Sequence, residues 1–311
     1  MSARIECDST MTLHVSDAEV RRLLGLEPLI AAVREALVDL SAGRVLQPLR
    51  SVMEIPPDQG VLFLKPALAG GMLATKLITQ IPGNAGRGLP TMQATIVLMD
   101  AATGRTLAVM DATWLTALRT AAASAVAVDC LTSRSPKVVA LLGSGVLART
   151  HAAALRVVRP VSEVRIWSRN PDNVANCAKD VKGIACASAE EATREADIVC
   201  TVTTAREPVL KGAWLRRGAL VAAVGAPRPA WRELDDDAMA NVVISDSYEA
   251  AAQESGDVIL SGARVSAELG EILAGTRLPP ASGSTIIFKS LGQAVVDAAA
   301  ARLVYEAASK L

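Results

Sequence analysis

The chain has no net charge: Lys plus Arg and Asp plus Glu number 32 each over 311 residues. Without a field of one sign, nothing draws in nucleic acid or an anionic membrane, so the expected partners are small molecules. Cysteine is scarce and poorly placed for structure. The five cysteines (Cys7, Cys130, Cys177, Cys186 and Cys200) are odd in number, scattered and without C-x-x-C spacing. That argues against a disulfide framework or a zinc site and makes a reducing cytoplasm the expected compartment. No apolar run follows a basic start, and no window approaches twenty uncharged apolar residues, so neither a signal peptide nor a spanning helix is expected. There is also no internal repeat and no low-complexity tail. What remains is 51% hydrophobic and 21% charged, too apolar to stay disordered and long enough for two domains with real cores.

Helical spacing opens the chain. From Ser16 to Leu40, residues Val20, Leu23, Leu24, Leu29, Ile30, Val33, Leu37 and Leu40 fit one or two amphipathic helices, with Ser16 and Glu19 forming a capping box. From Gln47 to Met110 the pattern turns to short β-rich runs: Arg50–Ile55, Val61–Lys65, Met72–Ile81, Gln93–Asp100 and Thr106–Asp111. Turn signals such as Pro56-Pro57-Asp58-Gln59-Gly60, Gly70-Gly71 and Pro82-Gly83-Asn84 separate them, which predicts a small sheet domain. An alanine-rich helix is predicted over about Thr113 to Leu131, linked by Ser133-Arg134-Ser135-Pro136 to the segment that follows.

That segment, Lys137 to Ala148, is an apolar strand that delivers Gly143, Ser144, Gly145, Val146 and Leu147 and then the small Ala148 into a helix. Gly143 permits the tight turn, Gly145 lets backbone N–H groups approach a pyrophosphate, and Ala148 lets the helix pack closely on the sheet. A second strand, Glu163 to Arg169, follows at the spacing of a βαβ unit, so the turn reads as a dinucleotide site. No carboxylate ends that strand to hold the ribose 2′-hydroxyl of NAD. Ser168, Arg169 and Asn170 stand there instead, a set suited to a 2′-phosphate, unless Arg169 is simply a solvated loop charge. NADPH is therefore expected ahead of NADH, which stays possible. Strand patterns at Ala196–Val202, Ala219–Gly225 and Asn241–Ser245 alternate with helical stretches near Asn173–Lys182, Ala189–Glu195 and Asp235–Met239. This alternation implies an α/β fold with a doubly wound parallel sheet. The last twenty residues, Gly292 to Leu311, read as a helix that could return to the first domain.

The motifs together resemble the ornithine cyclodeaminase and mu-crystallin superfamily, most closely its ketimine reductase branch. The resemblance runs from about Val15 to Tyr305. It rests on Gln47-Pro48-Leu49-Arg50, Thr75-Lys76-Leu77, Leu107 to Asp111, Ala117-Leu118-Arg119-Thr120, the Gly143 turn, Ala223 to Asp235, Glu254-Ser255-Gly256-Asp257, Ala267 to Glu271 and Phe288 to Gly292. It implies a Rossmann domain, here residues 118–291, set into a mixed substrate-binding and dimerisation domain made from 1–117 and 292–311, with two subunits joined through the latter. It also implies that Arg50, Lys76 and Arg119 clamp a substrate carboxylate, Lys76 and Arg119 being the catalytic pair. Thr120, Thr203, Val224, Gly225 and Ser290 are expected near the cofactor. Each of the three cations alone would read as a surface charge, but Lys76 sits in an apolar strand and Arg119 in an apolar helix, and buried cations require partners.

Departures from the cyclodeaminase pattern select the branch. Pro227 stands where cyclodeaminases carry an aspartate, so the base for amine deprotonation is gone. Phe63 replaces the glutamate that holds a distal ammonium. Lys65 replaces the usual methionine before Pro66; facing the pocket it could donate a proton or bind a second acidic group, whereas on an edge strand it would point outward. The expected activity is NAD(P)H-dependent reduction of carboxylate-bearing ketimines, of the pyrroline-2-carboxylate or piperideine-2-carboxylate type, to L-amino acids such as L-proline or L-pipecolate. An amino-acid dehydrogenase, an ornithine or lysine cyclodeaminase, and a catalytically weak crystallin-like binding protein are the alternatives.

Overall fold

The computed structural model describes residues 11–56, 60–135 and 137–311; Cys7, residues 57–59 of the first predicted turn and Pro136 of the linker lie outside the described residues. Two sheets organise the chain. The first contains β1 (Leu13–Val15), β2 (Ser51–Ile55), β3 (Gly60–Ala69), β4 (Met72–Gln80), β5 (Met92–Asp100) and β6 (Thr106–Asp111) in the order β1-β6-β5-β4-β3-β2. Pairings from β2 to β6 are antiparallel and β1 joins β6 in parallel, so this sheet is mixed. Helices α1 (Asp17–Leu23) and α2 (Leu26–Ser41) precede its long strands. The predicted capping box starts α1, with Glu19 N–H donating to Ser16 Oγ and Ser16 N–H to Glu19 Oε2 at 2.8 Å. Burial in α2 falls on Leu29, Ile30, Val33, Ala36 and Leu37, the stripe its spacing predicts.

Helix α3 (Thr113–Leu131) leads to the second sheet. It is long and apolar enough for a membrane span, but it is mostly buried inside this molecule and is a core helix. The second sheet holds β7 (Lys137–Leu142), β8 (Val161–Trp167), β9 (Ile184–Ala185), β10 (Ile198–Thr201), β11 (Leu220–Ala223), β12 (Val242–Ser245), β13 (Val265–Glu268) and β14 (Ile286–Lys289). Its order is β13-β12-β14-β11-β10-β7-β8-β9 and every pairing is parallel. Crossover helices are α4 (Val146–Val158), α5 (Pro171–Val181), α6 (Ala189–Thr193), α7 (Asp236–Met239), α8 (Tyr248–Glu254), α9 (Gly256–Ser261) and α10 (Leu269–Leu273). One core joins the sheet to α4 and α5 through Ala148, Leu155 and Val174; another covers the opposite face through Ala192, Ala238 and Val258. The sheet is doubly wound, as predicted. Finally α11 (Ala294–Ala308) leaves the second sheet and packs on α2, β3 and β4 of the first unit.

Several elements have no counterpart in the sequence reading: β1, β9, β13, β14 and α8 to α10. All are short. In β14 the apolar run Ile286-Ile287-Phe288 ends on Lys289, a charge that masks the strand signal; it is fully buried and paired at 2.7 Å with the equally buried Asp257.

Candidate active site

Strand order reverses between β7 and β10, and in such sheets the crevice beyond the strand ends at the reversal is where ligands bind. Gly143 follows β7 with φ of 127°, and a Cβ there would lie 2.8 Å from both Val202 Cγ2 and the Val202 carbonyl. Only glycine fits this turn. Gly145 is the N-cap of α4 without a side-chain cap, and nothing lies within 4 Å of the Cβ it lacks. Open backbone N–H groups at the positive end of a thirteen-residue helix suit a pyrophosphate, so the residues present fit a dinucleotide. Arg149 ties the loop down by donating to Ser144 O at 2.7 Å. Ser144 and Ser168 hydroxyls join the ends of β7 and β8 at 2.7 Å. Arg169 is exposed beyond them, and Asn170 caps α5 by accepting from Asn173 N–H at 3.1 Å.

A cleft of about 520 Å³ runs from the first turn of α4 to the first sheet. Thr120, Val146, Leu147, Thr203, Val224, Gly225 and Ser290 line one end, and Arg50, Phe63, Lys65, Lys76 and Arg119 the other, with Pro227 also on its wall. Gly143, Ser144, Gly145, Ser168, Arg169 and Asn170 do not line it; they lie on from its cofactor end, where β7 and β8 finish. Three of the four cations arrive from separate elements, and Arg50 comes from the segment just before β2. Lys65 and Lys76 are cross-strand partners on β3 and β4, and strand alternation puts both on the buried face together with Phe63. Lys65 is thus an inward residue of an interior strand, which answers the edge-strand alternative. Arg119 comes from the buried face of α3, and Arg50 stacks over the Phe63 ring at 5.8 Å.

The carboxylate at the centre of this cluster, Asp297 in the first turn of α11, is absent from the sequence-based set. Lys76 Nζ donates to Asp297 Oδ1 at 2.7 Å; Arg119 Nε lies 2.7 Å from the same oxygen, an ion pair out of line for a hydrogen bond. Lys65 Nζ stands 4.0 Å from Oδ2 and donates to the Gly292 carbonyl. Arg50 pairs with Glu254 and donates to Leu291 O at 2.9 Å. Burial would raise the Asp297 pKa, but Arg119, Lys76 and Lys65 outweigh it and hold the acid below its usual range. Burial, then Arg119, lower Lys76 to about 7 against the pull of Asp297. Lys65 is pushed well below the usual lysine value by burial, then by Arg50 and Lys76. Gly292, at φ of 68°, lies against the Arg119 guanidinium; a Cβ there would meet Nη1 at 2.4 Å.

Behind the cofactor end sits a second polar network. Glu233 is fully buried and accepts from Thr203 N–H at 2.7 Å, Gly225 N–H at 2.9 Å and the Thr201 hydroxyl at 2.8 Å, so one carboxylate fixes the loops after β10 and β11. Burial raises its pKa against the pull of Lys289. Asp257 accepts from Glu233 N–H at 2.8 Å, and Lys289 donates to Gly225 O at 2.6 Å. Ser290 donates to the buried Asp246 at 2.9 Å, which also accepts from Leu291 and Gly292 N–H. The family motifs quoted above contain Glu233, Asp257 and Lys289, but only the fold shows that they meet. His151 in α4 is buried against Ser124 at 3.0 Å, and burial lowers it to about 4, so it stays neutral at physiological pH.

Comparison with known proteins agrees with the fold. The profile of the ornithine cyclodeaminase/mu-crystallin family matches residues 9–311. A ketimine reductase mu-crystallin of Macropus fuliginosus is 44% identical over 298 residues, covering 93% of this chain and 95% of its own. Among solved structures, the Delta(1)-pyrroline-2-carboxylate reductase of Thermococcus litoralis in complex with NADH and L-proline superposes with a TM-score of 0.91 at 34% identity, over 96% of this chain and 98% of that one. An archaeal alanine dehydrogenase dimer with bound NAD gives 0.90 at 32% identity, over 96% of each chain.

Proposed function

The chain belongs to the ornithine cyclodeaminase/mu-crystallin family, and from its cleft we propose that it reduces carboxylate-bearing ketimines to L-amino acids such as L-proline or L-pipecolate, with NADPH preferred over NADH. The observation that carries this reading is that Val146 and Leu147, which follow the dinucleotide turn, line one end of the cleft while Arg50, Lys76 and Arg119 line the other. When bound, the nicotinamide cofactor supplies the hydride. The chain's own task is orientation and charge. Arg119 keeps its Nη atoms for a carboxylate while its Nε rests against Asp297, and Gly292 leaves room for the planar group. A carboxylate held there fixes the position of the imine carbon, and such positioning carries much of the rate. Lys76, with a pKa of about 7, is the cleft group suited to give a proton to the imine nitrogen near neutral pH. Phe63 and Pro227 offer no carboxylate for a distal amine or for deprotonating one, which sets cyclodeamination aside.

The preference for NADPH rests on the missing acid after β8 and on exposed Arg169 beside the Ser144–Ser168 pair. A homodimer through the outer face of the first sheet belongs to the same reading: Leu62, Leu64, Leu77 and Val97 are half-buried there, on the face turned away from the cleft. The deciding experiment is steady-state cofactor oxidation with pyrroline-2-carboxylate, piperideine-2-carboxylate, and pyruvate plus methylamine, alongside ammonia release from ornithine and lysine. Imine-dependent oxidation without ammonia release is expected. Ammonia release at a rate comparable with imine reduction would overturn the assignment.

A further inference from the structure

We propose that Lys65 sets substrate choice by binding a second carboxylate, so that the preferred ketimine is a dicarboxylate. This deepens the reductase reading and rests on it for the imine, though not for the anion site. Four side-chain cations meet at this end of the cleft, Arg50, Lys65, Lys76 and Arg119, against two carboxylates. Glu254 is engaged by Arg50, and Asp297 is shared by Lys76 and Arg119. Lys65 is left with a carbonyl, that of Gly292, and a carboxylate oxygen 4.0 Å away.

A protonated ketimine with one carboxylate is a zwitterion of zero net charge. Bound at Arg119 and Lys76, it brings no anion to Lys65. A second carboxylate makes the ligand a net anion and gives Lys65 a carboxylate that it does not share with Lys76 and Arg119. A buried ammonium at this position needs an anion, and among the described residues the nearest carboxylate, Asp297, is already engaged by Lys76 and Arg119. Burial, Arg50 and Lys76 all work against its charge, and a bound carboxylate would restore it. The second carboxylate can hang from the carbon side or the nitrogen side of the imine, and the experiment separates the two.

The test uses full-length protein saturated with NADP⁺ and three secondary amino acids studied by calorimetry: N-methylalanine, N-methylglutamate and N-(2-carboxyethyl)alanine. The first has one carboxylate; the others place a second on the carbon side or the nitrogen side. One diacid is expected to bind at least about tenfold more tightly than N-methylalanine, the order of a single charge-assisted contact. Lys65→Met and Lys65→Gln should remove that difference, costing the preferred diacid about tenfold more affinity than they cost N-methylalanine. No diacid preference in wild type, a preference that survives both substitutions, or an equal loss for all three ligands would overturn the proposal; the last would mark Lys65 as a proton donor or a structural residue. Turnover is read separately, with pyruvate plus methylamine, 2-oxoglutarate plus methylamine, and pyruvate plus β-alanine. Diacid binding that depends on Lys65 without reduction of any of these imines would leave the anion site standing and bring down the reductase reading.

Discussion

Asp297→Asn keeps the shape of the side chain and removes the one carboxylate shared by Lys76 and Arg119. Asp297 is 1% exposed and within 2.7 Å of both cations, so water cannot take its place without local opening. Breaking a buried pair of this kind costs about 3–5 kcal/mol. Chains of 150–250 residues shift by about 2–4 °C per kcal/mol and larger ones by less, so the melting temperature should fall by several degrees and by no more than about 20 °C. The loss should also depend on pH, with a definite sign. Lys76 has a pKa of about 7 in the folded protein against 10.5 ordinarily, and Asp297 is among the groups that raise it. In the variant the folded value drops further. Above about pH 7, Lys76 is neutral in both folded proteins and contributes nothing to the difference between them. Below it, wild type regains the proton while the variant resists, and each pH unit between the two folded values adds about 1.4 kcal/mol to the deficit. Denaturant midpoints of the cofactor-free proteins, measured from mildly acid to mildly alkaline pH, should show a gap that is widest in acid and narrows through neutrality to the share due to Arg119. A gap independent of pH, or a variant as stable as wild type, would refute the view of Asp297 as the counter-charge of the cluster.

Arg169→Ala should weaken NADPH by about 1.5–3 kcal/mol, the range for hydrogen bonds to charged groups, and leave NADH little changed; equal losses in a binding titration would remove the 2′-phosphate role. Arg119→Lys keeps the charge but loses the fork, and a displacement of about 1 Å at the imine carbon should lower turnover roughly a hundredfold under saturating NADPH; turnover equal to wild type would reduce Arg119 to a point charge. Affinity for pyruvate, whose carboxylate stays ionised across neutral pH, should be full below about pH 7 and decline above it as Lys76 loses its proton. Lys76→Arg should flatten that decline, and an unchanged profile in the variant would assign it to another group.

Much of this site was legible because its residues are out of place locally. A lysine inside the apolar run of β4, an arginine inside α3 and two glycines directly after β7 each break the pattern of their own element. Asp297 breaks nothing: one acid in the first turn of an alanine-rich helix reads as ordinary, and only the docking of α11 onto β4 shows what it faces. Lys65 was half legible. Alternation with Phe63 allowed an inward face, but whether β3 is an edge strand depends on the pairing of β2, which local sequence does not carry. The unpredicted β14 and α8 to α10 failed through brevity, since elements of four to seven residues are stabilised by contacts with distant segments more than by their own periodicity.

The position of α11 also bears on the order in which this protein can fold. Lys76 and its counter-charge are 221 residues apart in sequence, and the whole second sheet lies between them. Until α11 docks, β4 and α3 hold ammonium and guanidinium groups with no anion to justify their burial, so the first unit cannot close its core around them. The inserted sheet has a nearer pair, since its buried Lys289 and Asp257 are 32 residues apart, although β12, β13 and β14 also pack into the core they share with α2, α3 and α11. The Lys289–Asp257 pair can therefore close before α11 is made, whereas the cation cluster of the first unit waits for α11 and for the slow closure of a long loop. Completion of the Lys76–Arg119–Asp297 cluster then marks the docking of α11.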